Sequence, residues 1–452
     1  MDVIAAPAAR AAPRRARLGV VADATVVAAA VLLVVVAAVG GRWLIADGVD
    51  IFLGFPPLLA SWLPHVGPGT VPAVVLAAAV ATAGPALAAR LRWAPLMFAA
   101  WAASVAWTTA LALIDGWAVG IAGRLATDQE YLFNVPAVHG IGDMLRGFSE
   151  HILTDQPVHW TTHVGGHPPG AFLVFVWLDR IGLPGGGPAG MLCILVGAST
   201  APAIAVALRV LGAEDTARRM LPFAVLTPAA VWVGVSADGM FAGILAWAVA
   251  MLALGCAGHG WRADLAALGA GVLGGCTLYL SYGLVLGGAI LLAVVALTRR
   301  VRAAALAVVG GLAVAGAFTA AGFWWFTGYR LVKIIYAASI AKTRPYGYFW
   351  WADLAALMFV LGPAVVAGLR RLAVHPRAVP LAVSALVAAA LAAIVVADIS
   401  GLSKGEVERI WLPFAVWLTP ACALLPHRRR YGWLAAQGAL ALAVNHLLLT
   451  VW

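Results

Sequence analysis

Uninterrupted apolar stretches of about twenty residues recur along this chain from its first fifty residues to its last twenty. A helix rises about 1.5 Å per residue, so each stretch can cross most or all of the roughly 30 Å hydrocarbon core of a bilayer. The runs lie near 19–40, 72–91, 94–114, 187–211, 220–236, 239–256, 263–281, 283–298, 303–325, 351–369, 379–398, 411–425 and 432–451, which makes thirteen expected spans. They are continuous and do not alternate, so they read as helices and not as strands of a barrel. Composition closes the soluble alternatives. Apolar residues make up 63% of the chain and charged residues 11%, against about 45–50% and about 25% in soluble domains. Such a chain cannot cover its own surface with polar groups. That excludes a soluble enzyme, a disordered protein and a nucleic-acid-binding module. The expectation is an all-α polytopic membrane protein.

The net charge of +10 is a topology signal and not a nucleic-acid footprint. The N-terminus is basic, with Arg10, Arg14, Arg15 and Arg17. When it is placed in the cytoplasm and the runs are threaded alternately, the inner loops receive Arg90/Arg92, Arg209/Arg218/Arg219, Arg262, Arg299/Arg300/Arg302, Arg370/Arg371/Arg377 and Arg428/Arg429/Arg430. Nineteen of the 29 basic residues then lie inside, and about 14 of the 19 acids lie outside, as the positive-inside rule requires. The threading leaves the C-terminus outside. The first run is too long for a signal-peptide core and reads as an anchor that stays. Residues 169–183, PGAFLVFVWLDRIGL, are short for a span, and counting them as one would invert every later loop. They read as an interfacial or re-entrant helix on the outer face. The expected location is a plasma membrane, with the chemistry on its extracytoplasmic side.

Polar residues gather in three outer loops, about 115–186, 326–350 and 398–410. Loops longer than about 12–15 residues are usually functional. In the first, Asp115 closes the third run, and Asp128 and Glu130 follow. A carboxylate at a membrane boundary is costly and points to function. Two or three such acids suit a general base or a divalent cation, though nothing in the pattern requires the metal. Asp115 is the first candidate for the base, Glu130 the second and Asp128 the third. The loop closes with VHWTTHVGGHPPG. His159, His163 and His167 have helical metal-ligand spacing, but the Gly165-Gly166 pair and Pro168-Pro169 interrupt any continuous helix. The motif therefore reads as the Pro-started interfacial helix, with His167 turned toward a cavity, and no metal centre is assigned. The 326–350 loop interleaves Arg330, Lys333, Lys342 and Arg344 with Tyr329, Tyr336, Tyr346 and Tyr348, a combination suited to a lipid phosphate beside a ring. The 398–410 loop carries Asp398, Lys404, Glu406, Glu408 and Arg409, with Glu406 and Arg409 at i, i+3. Asp238 lies at the outer boundary. The four cysteines sit inside apolar runs and read as packed small hydrophobes.

Asp115, DQEYL (128–132), GHPPG (166–170), SADG (236–239) and KGEVERIWLP (404–413) together resemble the GT-C integral membrane glycosyltransferases of the polyprenyl-phosphate-sugar-dependent, actinobacterial type. The resemblance covers about 94–452 as a transmembrane catalytic domain with its extracytoplasmic loop 115–186. Residues 1–93, a cytoplasmic tail and two transmembrane helices, precede it. It implies a GT-C-like fold of about thirteen transmembrane helices, with interfacial helices in the long loop. It also implies a polyprenyl-phosphate sugar as donor, an extracytoplasmic envelope acceptor and an acidic base from the first loop.

The residues fit that chemistry. A departing lipid phosphate needs cations, for which Arg344 and Arg409 are the principal candidates and Lys404 and Lys333 the supporting ones. Tyr131, Tyr346 and Tyr348 offer rings to a sugar. His167, Asp238 and Glu406 complete the expected substrate-binding set. One base without a second nucleophile implies inversion. A transporter or lipid flippase of envelope precursors is the main alternative; it would carry its charges near the midplane on broken helices. A non-catalytic subunit of an envelope-synthesis complex is another, and would tolerate neutralisation of every outer acid.

Overall fold

The computed structural model describes residues 8–451, with side chains from residue 19 onward. Among the described residues, nine helices are long and apolar enough to cross a membrane: Gly19–Ala46, Thr70–Arg90, Trp93–Asp115, Gly186–Val210, Ala237–Ala257, Trp261–Leu280, Val301–Ala320, Tyr346–Val374 and Leu381–Ser400. The chain is thus a helical, multi-pass membrane protein. Each of the nine matches an expected run.

The other four runs take different forms. The run expected at 220–236 begins as a helix at Glu214–Val225, breaks before Pro228 and resumes at Ala230–Val233. Proline lacks the N–H that would continue the helical ladder. The run at 283–298 divides into a 3₁₀ segment Tyr282–Gly287 and a helix Gly288–Thr298. That at 411–425 becomes a short helix Leu412–Ala415 and a 3₁₀ stretch Val416–Leu424, with Pro413 and Pro420 inside. The last is a helix, Arg430–Leu447, that carries Gln437, Asn445 and His446 and ends in a strand, Leu448–Thr450. This strand pairs antiparallel with Ala60–Trp62.

Helix Ala237–Ala257 lies at the centre of the bundle and is the most enclosed of the nine. Its neighbours approach it closely because small residues line the contacts. A Cβ on Gly243 would overlap the carbonyl oxygen of Val196, and one on Gly255 would crowd Ala267 in Trp261–Leu280. Few residues of helices Gly19–Ala46 and Val301–Ala320 are fully buried by protein, as suits helices with a face turned to lipid.

Arginines tie several helix ends together. Arg218 donates to the carbonyls of Ala88 and Leu91 at the join of the second and third helices, and Arg209 and Glu214 pair beside it at 3.0 Å. Arg302 pairs with Asp264 at 2.7 Å. Asp23 takes Arg370 at 2.9 Å and Arg371 at 2.6 Å. Each contact joins ends that the threading assigns to one side. The Pro-started helix is present as Pro169–Arg180, with Pro at its first position.

An apolar surrounding makes every break costly, because freed backbone groups find no water there. Gly362 has φ 68° and kinks Tyr346–Val374 immediately before Pro363. Gln437 spans the kink: its Nε2 donates to Leu361 O at 3.0 Å and its Oε1 accepts from Ala364 N at 3.1 Å. Asn445 similarly donates to Leu111 O at 2.7 Å. Gln437→Leu leaves both backbone groups unmet, and each buried orphan costs about 1–3 kcal/mol. The variant is expected to melt several degrees below the wild-type protein in detergent; equal melting temperatures would remove Gln437 from this role.

Candidate functional site

Three segments outside the long apolar helices converge on the first turn of helix Ala237–Ala257. Ser236 caps that helix by accepting from Gly239 N at 3.1 Å, and Asp238 follows in its first turn, where the helix dipole favours an acid. Segment 401–410 turns back toward it through two consecutive left-handed residues, Gly405 at φ 80° and Glu406 at φ 63°. The left-handed region costs a residue with a Cβ about 1–2 kcal/mol, so contacts must hold Glu406 there.

Those contacts come from two buried arginines. Arg409 Nη1 donates to Asp238 Oδ2 at 2.7 Å, and its Nη2 donates to Glu406 Oε2 at 3.0 Å and to His163 Nε2 at 2.9 Å. Arg344 Nη1 donates to the other Glu406 oxygen at 3.3 Å and to Lys404 O at 2.6 Å, while its Nε donates to Ile51 O at 3.0 Å. Lys404 in turn donates through Nζ to Arg344 O at 2.8 Å. Burial works against the charge on Arg409, but Asp238, Glu406 and Glu130 together outweigh it and raise its pKa.

The long loop supplies the remaining wall. His163 Nδ1 donates to Gln129 O at 2.9 Å and lies 3.2 Å from Glu130 Oε1. The second Glu130 oxygen, Oε2, is buried and carries no hydrogen bond. Burial pushes the Glu130 carboxyl up to about 7, against the opposing pull of Arg409 and with Asp238 adding to the rise. His167 Nδ1 donates to His163 O at 2.8 Å and lies 3.1 Å from the Tyr131 hydroxyl. Burial lowers both histidines, His163 further than His167, with Arg409 adding to the fall of each. Glu408 is wholly buried beside this set with neither oxygen hydrogen-bonded, and burial pushes it too up to about 7.

Of the residues expected to form a site, Glu130, Tyr131, His167, Asp238, Arg344, Lys404, Glu406 and Arg409 belong to this network. Tyr131 is buried within it and packs on Phe175 at 5.1 Å. Asp115 belongs to a second network. It accepts from Arg124 at 2.6 Å and His65 at 2.6 Å, and Arg124 also donates to Thr450 O. That network joins the third helix to the 60–65 segment and the C-terminal strand. Asp128 is exposed. Tyr348 donates to Ala37 O at 2.8 Å and Tyr346 to Ile399 O at 3.3 Å, so both tie helices together. Lys333 is exposed on helix Trp325–Ala338, 5.8 Å from the Tyr329 ring. With Arg330, Ile334, Ala337, Ala338 and Lys342 it lines an open groove. Among the described residues no carboxylate pairs with these three cations. The other face of this helix is pinned by Tyr336, whose hydroxyl donates to Gly401 O at 3.1 Å and accepts from Lys404 N at 3.1 Å.

His163 is the residue that sequence reading left out of the site. Its signal was present in the His-x3-His spacing, but there it pointed to a metal. Among the described residues no group of three or more His, Cys, Asp or Glu is arranged to hold a metal ion. In comparison with known proteins, no family model and no curated protein sequence matches the chain.

Glu406 is the clamp of the network, since each of its oxygens meets a different buried arginine. Glu406→Ala leaves both cations short of a counter-charge, a loss on the order of 3–5 kcal/mol for a buried pair. Thermal melting of the purified variant checks this; a wild-type melting temperature would show that the clamp carries no stability.

Proposed function

We propose that the chain is a glycosyltransferase that moves a sugar from a polyprenyl-phosphate donor to an extracytoplasmic cell-envelope acceptor, glycan, glycolipid or protein, with inversion. The observation that carries this reading is Glu130. It is a buried carboxylate with one unbonded oxygen, raised to about 7, in a polar network at the ends of the apolar helices. A base with a pKa near the working pH combines availability with driving force. In this reading Glu130 takes the proton of the acceptor hydroxyl as that oxygen attacks the anomeric carbon and the lipid phosphate departs.

The phosphate needs cations that are free to meet it. Arg344 and Arg409, the first candidates, already face Glu406 and Asp238. Arg330, Lys333 and Lys342 instead line the open groove without acidic partners, so the donor phosphate is assigned to them, with its tail in the adjoining lipid. Arg344 and Arg409 then shape the site through Glu406. The reading as a transporter or flippase places charges midway along broken helices, whereas this network sits in loops and at a helix N-terminus. The GT-C architecture, the thirteen crossings, the inside N-terminus and the plasma-membrane location are parts of the same proposal. Cysteines placed at 216, 260 and 373 are expected to resist labelling from outside intact cells, and labelling at any of them breaks the threading.

Two activity measurements test the chemistry. Glu130→Gln is expected to lose about 10²–10⁴-fold in turnover, with Asp128→Asn near normal; an active Glu130→Gln removes the base. Because the base must be ionised, turnover is expected above pH 7 and to fall as the pH drops through about 7. For the donor, Arg330→Ala and Lys333→Ala are expected to weaken donor binding while leaving the melting temperature unchanged. Unaltered donor affinity in both would return the phosphate to Arg344 and Arg409.

A further inference from the structure

The protonation of His163 is fixed by its partners. Nε2 faces the Arg409 guanidinium, which can only donate. It must therefore accept, and the ring proton lies on Nδ1. That nitrogen faces two acceptors, the Gln129 carbonyl at 2.9 Å and Glu130 Oε1 at 3.2 Å. Ring and carboxylate are held by different parts of the chain: His163 lies in the short helix Thr162–Gly165, and Glu130 precedes Tyr131–Asn134. The two pieces are tied by Thr161, which donates to Asn134 Oδ1 through its N at 3.0 Å and its hydroxyl at 2.9 Å.

We infer that His163, kept as the neutral Nδ1–H tautomer by Arg409, is the positioning residue of Glu130. Its N–H is shared with Oε1, which leaves Oε2 as the oxygen that receives a proton. This rests on the proposed transferase reading for its use in catalysis, but the contact itself is a property of the chain. Arg409 thereby acts on the carboxylate at one remove, by choosing which histidine nitrogen carries hydrogen. The charged and titratable groups facing Glu130 are Arg409 and Glu406 from segment 401–410, Asp238 from Ala237–Ala257, Tyr131, His163 and Cys193 from Gly186–Ala198. Of these, His163 can be replaced by a side chain of similar size with or without an N–H while every charge stays in place.

The test uses the full chain in detergent and two variants, His163→Leu, which has no donor, and His163→Asn, whose amide sets an N–H near the position of Nδ1. Infrared titration of the protonated-carboxyl band, assigned by its loss in Glu130→Gln, reads the Glu130 midpoint directly. A donor to a carboxylate favours the ionised form, so its loss is expected to raise the midpoint by about one pH unit in His163→Leu. His163→Asn is expected to return it toward the wild-type value. The acid limb of the turnover profile moves with it, and misplacement of the carboxylate lowers turnover by up to about 100-fold. A midpoint that stays or falls in His163→Leu, or that does not recover in His163→Asn, overturns the inference, whatever happens to the melting temperature. His163→Ala takes the place of His163→Leu where the latter does not fold. If the wild-type protein transfers no sugar from any polyprenyl-phosphate donor, the functional reading fails while the infrared midpoint still decides this one.

Discussion

A guanidinium removed from water keeps its charge only if the protein surrounds it with acceptors. Arg409 is such a group, and the polar end of the molecule is arranged around it. Asp238 is brought to it by a capped helix start, Glu406 by a backbone turn of unfavourable hand, and His163 by the return of the long loop. Through Glu406 the same charge fixes Arg344, and through Arg344 the Ile51 carbonyl of the segment after the first helix. Five stretches far apart in sequence meet through this one cation and the glutamate beside it. Asp238 and Glu406 already stand opposite the two arginines. The raised pKa of Glu130 follows first from burial and then from the nearby Asp238 and Glu406, against the pull of Arg409.

The arginines at helix ends and the long apolar runs made the membrane class and nine of the expected helices legible, because hydropathy over a window is additive and needs no partner. The four broken runs were not, since a run with Pro228 or Pro420 has the same average hydropathy whether the helix continues or stops. The Pro168-Pro169 start of helix Pro169–Arg180 was legible because proline fixes its own dihedral. For the site, chemistry was legible and pairing was not. Asp115 and Glu130 look alike in sequence, both acids near the mouth of a span. They differ in what faces them: Arg124 and His65 surround the first, and a histidine held by a distant arginine meets the second. Neither environment shows in the sequence, because His65 lies 50 positions from Asp115 and the arginine that holds His163 lies 246 positions from it. Arg344 and Arg409 were legible as exceptions to the inner-side bias, but the glutamate that joins them required a left-handed backbone at a residue other than glycine.

The pairing of Asp23 with Arg370 and Arg371 has a consequence for biogenesis. Helix Gly19–Ala46 is made well before helix Tyr346–Val374, and its buried acid meets these counter-charges only after nearly 350 further residues have been made. Through that interval Asp23, near the start of its apolar helix, lacks both arginine partners. Helix Gly19–Ala46 therefore gains this anchorage only when helix Tyr346–Val374 docks against it.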